Sequence, residues 1–329
     1  MKKIIFITIF IVTQLNLSAQ ESGCISGDCE NGYGTFINAN NDKYIGDFVN
    51  GQKDGKGTLH LISKGYKITG FFSENQFHGE TSLYLSNGVL KGKGNFTYGI
   101  ITGEWEYYNS KGGVEIIKTF FEGELISEKN YFSNGIKKIE GEYDKGKKDG
   151  VWKSYHNNGN LESIFNYSNG IKNGVCKIFR SNGVLKLEIT FSNDEKIREK
   201  EYYSNGKIKF KGSYSNGFRT GEWSNYSSEG IIELTNFYSN DELIRSQHYE
   251  DGEKSWGGSV YNDKMDGVWK SYNVYTGKLE YTITYRNGEK ISSKSYNRKK
   301  ISPKKYSIKK RSRAKNLLSP LVQQMLRNN

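Results

Sequence analysis

Four histidines, three cysteines and a scatter of carboxylates are the residues of this 329-residue chain with chemistry to offer. His60, His78, His156 and His248 stand far apart, with no ligand spacing such as His-x-x-x-His, and read as surface or half-buried polar residues. Asp144, Asp149, Asp194 and Asp263 fall beside turns. Two such carboxylates could act as general acid and base, but similar groups recurring along the whole chain read as solvation. Gly92-Lys93-Gly94 has the start of a phosphate loop, lacks the second half of GxGxxG and leads into no helix, which excludes dinucleotide binding. No GxSxG elbow occurs. No catalytic residue, cofactor or metal is expected, and the chain reads as a non-enzyme.

The cysteines depend on the compartment. Residues 1–19 carry Lys2 and Lys3, an apolar run from Ile4 to Val12 and small residues at Ser18 and Ala19, the pattern of a secretory signal peptide. The run is shorter than the roughly 20 residues that span a bilayer, and Glu21 argues against a lipid anchor at Cys24. A secreted or periplasmic protein is expected, with no transmembrane span. In an oxidising compartment Cys24 and Cys29 could close a small disulfide loop, a free pair or a bond to another chain being the alternatives. Zinc is disfavoured, because no His or Cys nearby completes a tetrahedral set.

Basic residues offer the remaining chemistry. The net charge is +12, but residues 290–329 hold 13 Lys and Arg and no acid. Setting these and the two leader lysines aside leaves 33 basic residues against 36 acidic ones, a net −3. The basic character therefore belongs to a tail, residues 298–329. Within it Lys299, Lys300, Lys304, Lys305, Lys309, Lys310, Arg311 and Arg313 are candidates for binding an anionic surface: lipid headgroups, lipopolysaccharide or wall polymer. Each such charge gains about 1 kcal/mol near an anionic membrane; a solvated extension is the alternative. Nucleic acid suits the charge but not the export. Leu317, Leu318, Leu321, Val322, Met325 and Leu326 fall at helical spacing, as in a short amphipathic helix.

What would position these groups is a repeat. Only 35% of the chain is hydrophobic and the mean hydropathy is −0.74, poor material for a thick core, yet aromatics make up 14% and prolines number two, unlike a disordered chain. A period of 23 to 25 residues anchors eleven copies at positions 46, 70, 94, 118, 141, 165, 189, 212, 235, 258 and 283. Two residues after the anchor, ten of the eleven copies have an aromatic, Phe48, Phe72, Tyr167, Tyr214 and Phe237 among them. Five residues after it stands Gly, Asn or Asp, the types that tolerate positive φ in a turn. A second aromatic slot, fourteen residues on, holds Tyr84, Tyr155, Tyr203, Tyr249 and others, followed by a second turn such as Asn134-Gly135 or Asn205-Gly206. Two turns per period leave two segments of strand length, so each copy is a β-hairpin, and Asn-Gly suits its tight turns.

Two further slots complete the unit. Gly55, Gly103, Gly150, Gly174, Gly221 and Gly267 lie nine residues after their anchors, where a missing side chain is expected to make room for an aromatic ring of the adjacent hairpin. Trp105, Trp152, Trp223 and Trp269 lie eleven after theirs; Cys176 takes that place in one copy, which marks it as a buried structural thiol. Copies 118, 189, 235 and 283 lack the glycine and carry Lys or Ser in place of Trp.

The stretch from Tyr44 to Gly57, YIGDFVNGQKDGKG, resembles the MORN repeat, and Gly141 to Trp152 and Gly212 to Trp223 resemble its bacterial variant, often described as an antitoxin-like component. The resemblance implies an elongated, single-layer, twisted antiparallel sheet of tandem hairpins, all-β, with a scaffolding, dimerisation or lipid-associated role. The expected plan is a leader (1–19), a cap with a partial repeat (20–45), a repeat array (46–297) and the basic tail (298–329). Stacked hairpins bury rings only against their neighbours, so stability should be nearly one-dimensional. The expected function is a non-catalytic interaction scaffold of the bacterial cell envelope that binds a protein partner or an anionic surface. The rivals are an antitoxin-like inhibitor of a protein toxin and, needing a cleft, a carbohydrate-acting enzyme.

Overall fold

The computed structural model describes residues 22–296; the leader and the tail candidates from Lys299 to Arg313 lie outside them. The described residues hold 26 β-strands and one 3-10 turn, Ile62–Lys64, and no α-helix. The chain forms two units, divided between Gly146 and Lys147. In the first, the strands from Gly23–Gly27 to Lys137–Asp144 each pair antiparallel with the next in chain order. In the second, the same order runs from Lys147–Tyr155 to Glu289–Ser295. The fold is all-β, a succession of antiparallel hairpins.

Two kinds of turn alternate, for different backbone reasons. Five residues past the anchor both central residues have positive φ, as at Asn50 (49°) and Gly51 (73°) or Asn216 (50°) and Gly217 (82°). This is the mark of a type I′ turn, whose twist matches the flanking strands. The Ser-Asn-Gly turns differ from the two-residue form that Asn-Gly suggests. At Asn134-Gly135 only the glycine has positive φ (81°), Gly135 N–H donates to Phe132 O at 2.9 Å, and Phe132 N–H donates to Ile136 O at 2.8 Å. That is a three-residue loop with a left-handed glycine closing it.

Between the turns the ladder is bulged in copy after copy. In the hairpin of Leu90–Thr97 and Ile100–Tyr108, Lys93 pairs with Glu106 and Asn95 with Thr102, so Gly94 alone opposes Gly103, Glu104 and Trp105. Gly212 opposes Gly221, Glu222 and Trp223 in the same way. The four copies without this glycine keep a smaller bulge with a single extra residue, and that residue is isoleucine each time: Ile126, Ile197, Ile244 and Ile291.

The bulge corrects the expected role of the glycines. Gly103, Gly174, Gly221 and Gly267 do pair across the ladder with the next copy's ring residue, Phe120, Phe191, Tyr238 and Tyr285. Space is not the reason for them, however: a Cβ added at Gly103, Gly150, Gly174 or Gly221 would meet nothing within 4 Å. Their φ values of 62° to 86° are the reason, because the bulge needs a left-handed residue. The same register moves one slot: Tyr238, not Phe237, stands in the ring column of its copy.

Ring clearance falls instead to anchor glycines. A Cβ on Gly94 would lie 2.4 Å from Trp105, on Gly212 2.1 Å from Trp223, and on Gly258 2.5 Å from Trp269. Each indole lies flat on the backbone of its own hairpin. Its N–H bonds the carbonyl one residue past the anchor, Asn95, Ser213 or Ser259, at 3.0, 3.1 and 2.8 Å. At Ser259 the indole shares the carbonyl with the Asp266 N–H, which donates to it at 3.1 Å. Where the anchor is Phe165, the partner slot shrinks to Cys176, buried beside it, and Asn166 donates to Val175 O at 2.5 Å.

Candidate binding surface

The rings of successive hairpins form a column on one face, built differently in the two units. In the first, ring follows ring: Tyr44 meets Phe72 at 5.1 Å, Phe72 meets Phe77 at 4.5 Å, Phe77 meets Phe96 at 5.4 Å, and Phe96 meets Trp105 at 5.1 Å. Tyr44, Phe48 and Phe72 form its buried cluster. Burial drives the Tyr44 phenol well above the usual range, with the nearby Asp47 and Asp54 charges adding to it. Burial also lowers the pKa of Lys53, whose ammonium lies 5.6 Å from the Tyr44 ring centre.

In the second unit a cation stands between rings. Lys148 lies 3.9 Å from the Trp152 ring centre and 5.3 Å from that of Tyr167. Lys172 lies 5.4 Å from Phe191, Lys196 4.0 Å from Tyr214, and the Arg219 guanidinium 4.2 Å from Tyr238. All four occupy the position seven residues past the anchor, where the first unit has Lys53 and then Phe77, Ile101 and Leu125. Each such contact contributes about 0.5–1 kcal/mol when exposed and more when desolvated. This cation slot was readable as a further periodic position, but the aromatic and glycine slots around it carry a stronger signal.

The column's cations are largely neutralised. Lys196 is 2.7 Å from Glu199, and Arg219 is 2.8 Å from Asp241. Burial opposes the Lys196 charge, but Glu199 and the Tyr214 hydroxyl outweigh it and raise its pKa. Elsewhere Lys200 pairs with Glu188 at 2.8 Å and Lys209 with Glu201 at 3.0 Å. These partly exposed pairs contribute about 0–1 kcal/mol each. The body of the array is thus electrically quiet.

The remaining sequence candidates sit apart. Cys24 and Cys29 are joined by a disulfide, with Cα atoms 5.9 Å apart, at the strand that begins the first unit. Burial pushes the Cys176 thiol up, as suits an inert packing residue. The four histidines do not converge: His78 packs on Tyr98, His156 bonds Phe179 O, and His248 stacks on Trp256. Among the described residues no three His, Cys, Asp or Glu side chains are placed to hold a metal ion. No helix among them is long and apolar enough to cross a membrane.

Residues 148–169, 172–193 and 197–216 match the MORN repeat variant family. The first two matched segments begin at Lys148 and Lys172 of the cation column, and the third begins one residue after Lys196. No curated protein matches the chain. Among solved structures, the crystal structure of TcdB2-TccC3 is similar at 11% identity over 80% of this chain and 14% of that one, with a TM-score of 0.19. That of TcdB2-TccC3-Cdc42 is similar at 10% identity over 76% and 20%, with a TM-score of 0.13. The chain spans less than a quarter of the length of either.

Proposed function

We propose that this chain is a non-catalytic interaction scaffold exported to the bacterial cell envelope, whose repeat array presents contact faces and whose basic tail anchors it to an anionic surface. The observation that carries the reading is the recurrence of bulged hairpins through both units, with their rings spent on neighbouring repeats and their indoles on their own hairpin. Side chains so engaged serve architecture and leave the outward positions, such as Phe121, Val151, Phe218 and Val268, for contact. The match of three copies to the MORN repeat variant supports a repeat-based binding role. The charge distribution supports the anchor, since residues 4–289 carry a net −3 and the segment after them the basic excess.

Truncation after Tyr296 tests the anchor and leaves the last strand, Glu289–Ser295, whole. The chain without its leader should sediment with phosphatidylglycerol vesicles at low salt and release at high salt, where screening contracts from about 10 Å at 0.1 M to about 3 Å at 1 M. The truncated chain should stay in the supernatant. Vesicle binding that survives truncation, or that ignores salt, removes the tail from the reading.

A further inference from the structure

Several neighbouring loops of the second unit are stitched together by side-chain bonds. Asn158 and Asn160 donate to Ser181 O of the next loop at 2.8 and 2.7 Å, and Asn205 donates to Ser228 O at 2.7 Å. In the strand pair Glu242–Glu250 and Glu253–Tyr261 the usual three-residue loop is replaced by a two-residue turn, Asp251 (φ 52°) and Gly252 (φ 86°). The neighbouring loop is longer than the usual one: Asn273 N–H bonds Lys278 O, against Phe132 N–H to Ile136 O in an ordinary copy. None of the side chains from Glu250 to Glu253 bonds that loop. A short turn beside a long loop leaves a recess of about 550 Å³, within the range of small-ligand sites.

Its lining has a definite chemistry. Tyr249, Tyr272, Tyr275 and Trp256 supply aromatic surface, Glu250 and Glu280 supply carboxylates, and no Lys or Arg takes part. The loop is held in shape by Asn273, whose Oδ1 accepts from the N–H groups of Tyr275 and Thr276 at 3.1 and 3.0 Å and whose Nδ2 donates to Glu280 Oε1 at 2.9 Å. That scaffold holds Tyr275 91% exposed at the rim. In the same repeat slot as Tyr249 and Tyr272, Tyr203 donates its hydroxyl to Tyr226 O at 2.7 Å, whereas the hydroxyls of Tyr249, Tyr272 and Tyr275 have no protein partner.

Ring faces, unpaired phenols and serines, carboxylates and an absence of cations suit a ligand with apolar C–H faces, many hydroxyls and no negative charge. We propose that this recess binds a neutral oligosaccharide, with Tyr272 and Tyr275 against the sugar faces and Glu250, Glu280 and the free phenols bonding its hydroxyls. Tyrosine suits the role because it gives wide amphipathic contact at low entropic cost. Every lining residue lies before Tyr296, so truncation after Tyr296 should leave the site unchanged.

Isothermal titration of the leaderless chain with chitotetraose, cellotetraose and maltotetraose tests this, with choline chloride as the cationic comparator. At least one sugar should bind saturably. Tyr275→Ala and Glu250→Gln, both at exposed positions, should each weaken it about tenfold or more, while Tyr261→Ala, exposed elsewhere, should change nothing. The proposal is overturned if no sugar binds, if the two recess variants bind as well as the parent, or if choline binds and the sugars do not.

Discussion

The anchor glycine and its tryptophan are a single packing decision made at two sequence positions. Gly212→Ala places a methyl group where the Trp223 ring lies and should lower stability by about 2–3 kcal/mol. Gly103→Ala meets no atom and should lose only the left-handed penalty of about 1–2 kcal/mol. Chemical denaturation separates them, and in Gly212→Ala/Trp223→Ala the losses should fall well short of additive. His248 is one residue that makes stability depend on pH. Burial lowers its pKa to about 4, below the unfolded value of about 6.5. The folded state therefore takes up fewer protons in that interval, so its contribution is complete above about pH 6.5 and disappears as the pH falls towards 4. Denaturation midpoints measured across this window should fall more gently in His248→Gln than in the parent.

At the scale of the hairpin, the bulge separates two designs among the copies from Gly94 onward. One has a left-handed glycine and an anchor glycine under an indole, as with Gly212, Gly221 and Trp223; the other has one extra isoleucine, as with Ile197. The copy of Phe165 and Cys176 keeps the bulge glycine but exchanges large and small partners. Cys176→Trp alone should overpack, at about 1–3 kcal/mol, and Phe165→Gly alone should leave a void, at about 3–5 kcal/mol. Together they rebuild the pair found at Gly94 and Trp105, so thermal melting of the double variant should lie above that of either single one. A double variant less stable than Phe165→Gly would show that the two slots do not share one volume.

For the molecule, contacts join each strand mainly to its chain neighbours, so a lesion should stay local. The Cys24–Cys29 bond ties the first strand, Gly23–Gly27, to the segment before Tyr33–Ile37. Replacing both cysteines with serine should release about 2 kcal/mol of constraint. Amide exchange should then quicken in Gly23–Gly27 and Tyr33–Ile37 while the strands beyond Leu85 keep their protection. Uniform loss across the chain would show a cooperativity that nearest-neighbour stacking does not supply. The opposite end, Glu289–Ser295, has every residue exposed and carries Lys290 and Lys294, charges that discourage pairing with a further strand.

The hairpin and its period were legible in the sequence because turns are local: positive φ favours Gly, Asn or Asp, as at Asn50-Gly51 or Asn193-Asp194, and the second turn residue keeps to those types. The tryptophans and glycines could be counted too, but not paired. Which glycine faces an indole depends on register, and a bulge that sets one residue against three shifts that register in a way spacing does not record. Hence ring clearance belongs to Gly94 and Gly212 rather than to Gly103 and Gly221, and Tyr238 rather than Phe237 joins the column. The recess beside Tyr275 was equally hidden, since it arises from unequal lengths of two neighbouring loops, and only their juxtaposition in the folded sheet turns that inequality into a cavity.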